Sequence, residues 1–196
     1  MFTTTFYSFK GGVGRTLALM NVAYELVSKG NKVTVVDFDL EAPGMQTFNI
    51  FKDALNNKGT LKVKGIADFI SEYTESCKSK PVIPNINNFL YKVPNKELSF
   101  KNKQKKGALW FVPASQSLKR EAVQDINWEE LYKKFKGYLL FEELKSLIYK
   151  KTKCDYLLID SRTGLTDHSS ICTKQFPDLL VSLFFPNDQN INGLKE

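Results

Sequence analysis

Seven consecutive residues, Lys10-Gly11-Gly12-Val13-Gly14-Arg15-Thr16, combine two cations, three glycines and a hydroxyl. Side chains of these types in this order serve the holding of phosphate. Glycines let backbone N–H groups crowd around phosphate oxygens, a helix N-terminus adds partial positive charge, and a threonine hydroxyl is a hard ligand suited to Mg²⁺. Two acidic clusters lie further along, Asp37-Phe38-Asp39 and Asp160-Ser161-Arg162-Thr163-Gly164, each closing an apolar run. A carboxylate at the end of a buried strand, downstream of a phosphate cradle, is placed to hold metal-bound water and to help neutralise phosphate charge. Asp37 and Asp39 each have a simpler role open to them, Asp37 as an acceptor for backbone N–H groups and Asp39 as a loop cap.

The elements that must position these residues are legible as hydrophobic periods. Phe2–Phe9 reads as a strand entering the glycine turn, and Leu17–Ser28, with Leu19, Val22, Ala23 and Leu26 at helical spacing, reads as the helix leaving it. Gly30 and Asn31 stop that helix, and Lys32–Phe38 is a β-branched apolar run of the kind buried in parallel sheets. The three pieces make a βαβ unit. Gly65–Cys77 is an amphipathic helix, Phe89–Val93 and Ala108–Val112 are strand candidates, and Trp128–Thr152 is one or two helices with Gly137 as a break. Asp155–Asp160 and Leu179–Phe185 are further strands. Alternating strands and helices predict an α/β fold, a mostly parallel sheet with helices on both faces. The three chemistry-bearing segments then fall at carboxyl ends of strands, where open α/β sheets bind ligands.

Composition narrows the class. The chain has 196 residues, 42% of them hydrophobic, which fits one domain over 1–196. No run approaches the roughly 20 apolar residues of a membrane span. Met1 leads into a strand-like segment instead of a basic stretch with an apolar signal core, so the expected location is cytoplasmic. Cys77, Cys154 and Cys172 are far apart and form neither a zinc pattern nor a disulfide framework. The net charge is +7, much of it in Lys92–Lys106 with Lys101, Lys103, Lys105 and Lys106. That segment reads either as a solvated hairpin tip or as a contact for nucleic acid or another anionic surface. His168, the single histidine, reads as structural, and the 15 Phe, 8 Tyr and 2 Trp are dispersed like core residues.

The glycine turn departs twice from the general P-loop pattern G-x-x-x-x-G-K-[ST], with Phe9 at the first glycine and Arg15 at the lysine. It resembles the deviant P-loop K-G-G-x-G-K-[ST] of the MinD/ParA family of P-loop NTPases. The run V-V-D-x-D at Val35–Asp39 resembles that family's switch I, Asp160–Gly164 its switch II, and Val112–Ser115 (V-P-A-S) a stretch of the MinD branch. The resemblance implies ATP or ADP with Mg²⁺ at Lys10, Gly11, Gly12, Val13, Gly14, Arg15, Thr16 and Leu17, and the adenine near Pro186 and Asn187. It implies Mg²⁺ held by Thr16 and, indirectly, by Asp39 and Asp160. Lys10 would reach the partner's phosphates in a nucleotide-sandwich homodimer, Asp39 would position the attacking water, and Arg15 and Asp160 would complete the catalytic set.

The function so implied is a slowly hydrolysing, dimeric ATP switch, acting on a protein partner or a fused C-terminal domain. Family members continue for at least another strand and helix, so residues 1–196 are expected to be the N-terminal part of a longer protein, or to leave an edge for a partner. A catalytically silent nucleotide-binding scaffold or regulatory module stays open beside it, because arginine binds phosphate as a planar fork where lysine offers a compact ammonium. A bacterial tyrosine kinase of the same fold would carry a C-terminal tyrosine cluster, whereas the eight tyrosines here are scattered. An iron–sulfur reductase is disfavoured by the cysteine spacing.

Overall fold

The computed structural model describes residues 1–56, 63–94, 98, 107–115, 126–164 and 170–193. Six strands form one sheet: β1 (Phe2–Tyr7), β2 (Lys32–Asp37), β3 (Tyr91–Lys92), β4 (Ala108–Val112), β5 (Tyr156–Asp160) and β6 (Leu179–Ser182), in the spatial order β3-β4-β2-β5-β1-β6. All pairings are parallel except β3 with β4. The register sets Phe6 and Asp37 on either side of Asp160, so the carboxyl ends of β1, β2 and β5 finish level.

Helices cover both faces, as the alternation predicts. On one face lie α1 (Arg15–Ser28) and α2 (Asn49–Asn56), whose Leu19, Ala23, Val27, Phe51 and Ala54 pack on Val33, Val35 and Leu158. On the other lie α3 (Ile66–Cys77), α4 (Trp128–Lys133) and α5 (Gly137–Thr152), with Ile70, Leu131, Leu140 and Phe141 packed on Val36, Leu157 and Ile159. A π-turn at Ile171–Gln175 adds Ile171 and Cys172 to this second core. A short helix, α6 (Asp188–Gly193), follows β6.

The expected elements are present with shorter ends. The first strand closes at Tyr7, two residues before Phe9, and the last closes at Ser182. Trp128–Thr152 divides into α4 and α5 through Lys136 at φ 54°, and Gly137 has no room for a Cβ beside Leu131. Helix α2 lies in a stretch to which the hydrophobic periods assign no element. Its Phe51, Ala54 and Leu55 are spaced for one buried face, and Phe51 stacks on Phe111 with ring centroids 4.0 Å apart. The lysines at 101, 103, 105 and 106, and His168, lie outside the described residues. The three cysteines are free, with Cys154 and Cys172 buried. Among the described residues no helix is long and apolar enough to cross a membrane.

Helix α3 shows how tightly the site's neighbourhood is built. The N–H groups of Ile66 and Ala67 donate to the carbonyls of Pro113 and Ala114 at 2.9 and 2.8 Å, and Asp68 caps the N–H of Gly65 at 2.8 Å. The V-P-A-S stretch therefore receives a helix N-terminus. A Cβ at Gly65 would stand 2.2 Å from the Pro113 oxygen and 2.7 Å from two further backbone atoms. None of these can rotate away, so Gly65→Ala should cost about 1–3 kcal/mol of unfolding free energy, read as a lowered denaturant midpoint.

Candidate functional site

The turn between β1 and α1 is built by backbone conformation. Gly12 and Gly14 have φ of 79° and 83°, in the left-handed region that side-chain-bearing residues resist. Gly14 caps α1 without a side-chain hydrogen bond, and the first turn of the helix carries no acid. The leading N–H groups of α1 therefore lack the usual side-chain acceptor and favour an anion. They open on a cavity of about 550 Å³ lined by Ser8, Gly11 to Leu17, Asp39, Ala42, Gly44, Phe48 and Thr163. A larger, aromatic cleft beside Trp128, Tyr132 and Tyr138 lacks this glycine turn.

Arg15 lies at the floor of the cradle, 7% exposed. Its Nε–H donates to Asp160 Oδ1 at 2.5 Å and its Nη2 to Asp39 Oδ2 at 2.8 Å, while Nη1 stands 3.4 Å from Ser8 Oγ. The Thr16 hydroxyl donates to Asp160 Oδ2 at 2.6 Å. Burial alone would lower the pKa of Arg15, but Asp160 and Asp39 outweigh it and raise the value. Burial raises the Asp160 carboxyl above its ordinary range, against the opposing pull of Arg15 and Thr16.

Each acid is fixed by its strand end. The Asp160 carbonyl accepts from the N–H of Phe38 at 2.9 Å, which locks β2 to β5 between the two acids of Asp37-Phe38-Asp39. Phe38 is fully buried edge-on against Phe141 and Phe176, at centroid distances of 5.9 and 5.7 Å. Asp37 turns inward and accepts from the backbone N–H groups of Asp39 and Met45 at 3.1 and 3.2 Å. It holds the loop that presents Asp39, the structural role open to it from the sequence. Burial, with Asp160 and Asp39 nearby, pushes its carboxyl well above the usual range.

The remaining expected residues divide. Lys10 is exposed, its ammonium 5.5 Å from the centre of the Phe9 ring. Phe9 packs on Gly193 of α6 so closely that a Cβ there would meet the ring at 2.3 Å. Pro186 and Asn187 are exposed just before α6 and do not line the cavity. Arg162 pairs with Glu41 and so ties the loop after β5 to the loop after β2. Thr163, of the Asp160–Gly164 cluster, lines the cavity, as do Ser8, Ala42, Gly44 and Phe48, whose small or apolar side chains were not singled out in the sequence. Burial raises the thiol pKa of Cys172, which opposes a nucleophilic role.

Mg²⁺ would need oxygen donors turned to the cavity. Thr16, Asp39 and Asp160 supply hard oxygens, but every carboxylate oxygen already accepts a protein hydrogen bond, the last, Asp39 Oδ1, from the N–H of Ala42 at 3.3 Å. As arranged, the two acids are bridged by one guanidinium and offer a metal ion less charge than a free pair would.

A family model described as "AAA domain" matches residues 1–172. No curated protein sequence matches the chain. Among solved structures, the chain is similar to a plasmid partition protein from Borrelia burgdorferi at 21% identity and a TM-score of 0.65, over 99% of this chain and 70% of that one. It is similar to McdA from Cyanothece in complex with ATP at 17% identity and a TM-score of 0.62, over 99% and 60%. It is similar to MinD from Pyrococcus horikoshii with Mg-ADP at 18% identity and a TM-score of 0.61, over 98% and 61%. The chain thus spans between 60% and 70% of the length of these proteins.

Two outcomes follow from the buried charges. Arg15→Met should lower stability by about 3–5 kcal/mol in denaturant titrations at neutral pH, and adding Asp160→Asn should recover part of that loss. A carboxyl whose pKa is raised on folding binds its proton better in the folded state. Its contribution is greatest at acid pH and is lost as pH rises from the ordinary aspartate range through the raised value. Asp37→Asn should flatten that fall in unfolding free energy measured against pH.

Proposed function

The chain belongs to the AAA-domain family and has the fold of the MinD/ParA-type P-loop ATPases, and we propose that it binds an adenine nucleotide at Gly11–Leu17 and works as a slowly hydrolysing, dimeric switch. The observation that carries the reading is the glycine turn: two left-handed glycines deliver uncapped helix N–H groups to a cavity large enough for a phosphate chain. The complexes of McdA with ATP and of MinD with Mg-ADP support adenine nucleotide as the ligand.

In this reading the backbone of Gly11 to Leu17 binds the phosphates, with Lys10 as the exposed cation at the mouth of the cradle. Asp39, on a loop pinned by Asp37, orients water. The Arg162–Glu41 pair makes the loops after β2 and β5 respond together, as a switch requires. Pro186 and Asn187 are assigned to the adenine side. The Mg²⁺ that resemblance assigns to Thr16, Asp39 and Asp160 has no step here, because Arg15 holds the acids. The proposed setting is cytoplasmic, with a homodimer partner, and a protein partner or a further domain as the output. The exposed Leu179, Leu180, Phe184 and Phe185 on and beyond the edge strand β6 favour an additional covering segment. Nucleic acid is a candidate partner through the basic segment 92–106.

A silent nucleotide-binding scaffold is the second reading, favoured by the engagement of Arg15 with both acids. Two measurements test the pair. ATP and ADP at millimolar concentration should raise the melting temperature, as any ligand selective for the native state does; an unchanged melting temperature refutes nucleotide binding. Lys10→Ala should reduce phosphate release and ATP-dependent dimerisation, seen by sedimentation, more than it reduces nucleotide affinity. Absence of phosphate release and a strictly monomeric wild type would leave the scaffold.

A further inference from the structure

Asp39 and Asp160 flank the phosphate site, and both already have their cation. The guanidinium of Arg15 reaches Asp160 through Nε at 2.5 Å and Asp39 through Nη2 at 2.8 Å. The hydroxyl of Thr16 and the N–H of Ala42 take the two oxygens that Arg15 leaves. The side chain of Asp160 is 2% exposed and that of Asp39 13%, so neither acid is compensated by bulk water.

We propose that Arg15 replaces the divalent cation in ligand binding, so that the cradle takes the phosphate chain of ATP or ADP without Mg²⁺. The inference rests on the nucleotide reading above. Two bare carboxylates beside a polyphosphate would repel it, and a metal ion between them relieves that repulsion. A guanidinium relieves it as well: it is permanently charged, planar, and able to donate to two acids along different edges at once. An ammonium is a compact point charge without the fixed fork that meets two acids along separate edges. Here the span is made by the protein's own side chain. Mg²⁺, which gives up its own water reluctantly, would meet two acids already engaged by Arg15. The proposal concerns binding alone and assigns no reaction step to the arginine.

The test is equilibrium titration of the purified chain with a fluorescent ADP or ATP derivative, in Mg²⁺ and again in EDTA. Wild type should bind with affinities within about threefold of each other in the two buffers, whereas Arg15→Lys should weaken by about tenfold or more in EDTA. Asp39→Asn removes one acid and keeps the Arg15–Asp160 pair, so it should bind in EDTA at least as tightly as wild type. Near-ultraviolet circular dichroism checks the fold of each variant, and Asp39→Asn decides alone if Arg15→Lys does not fold. A tenfold loss by wild type in EDTA overturns the proposal, as does a metal-independent Arg15→Lys or a weakened Asp39→Asn. Binding in neither buffer refutes the nucleotide reading itself and the proposal with it.

Discussion

A buried arginine between two acids is the interaction on which the rest of this site depends. The carboxyl ends of β2 and β5 finish level, which brings the buried Asp37 and Asp160 together with Asp39 at the cavity wall. Three carboxyl groups so close cannot all be ionised without a cation. The chain resolves this in two ways: Asp37 is turned inward onto backbone N–H groups, and Arg15 is placed against the other two. Helix α1 begins at Arg15, so the helix that offers its N-terminus to a ligand is also the one that supplies this cation.

The surrounding packing follows from the need to hold these charges in place. Phe38 sits between two acids in sequence and is sunk into an aromatic cluster with Phe141 and Phe176, which fixes the backbone on which both acids ride. Gly65 lets α3 close on the end of β4, next to β2. Arg162 and Glu41 join the two loops above the sheet. The cradle is therefore a rigid turn whose acidic wall is fastened from behind by apolar packing and from above by an ion pair.

The sheet and its helices were legible because a parallel sheet covered on both faces writes itself as short apolar runs between amphipathic helices. The strands of Lys32–Asp37 and Tyr156–Asp160 show this plainly. The glycine turn was legible because its chemistry depends on residue type at fixed spacing. Helix α2 escaped because eight residues hold only two turns, and its reason for existing, the stack of Phe51 on Phe111, is a long-range contact. The pairing of Arg15 with both acids escaped for a similar reason. The three residues are each conspicuous in the sequence, but which way a flexible guanidinium turns is set by the fold. The walls at Ala42, Gly44 and Phe48 line the cavity by position and not by chemical character.

The order of strands has a consequence for how the protein is made. β1 is made before the other strands of the sheet, yet its sheet neighbours are β5 and β6 and not β2. A nascent chain therefore holds Phe2–Tyr7 without a pairing partner until Tyr156–Asp160 has been synthesised, while β2 and β4 can already join. The ion pair between Arg15 and Asp160 closes over the same long interval, 145 residues, and loops of that length close slowly. Translation thus acts as a timer: the acidic wall of the cradle is complete only after Asp160 has been made.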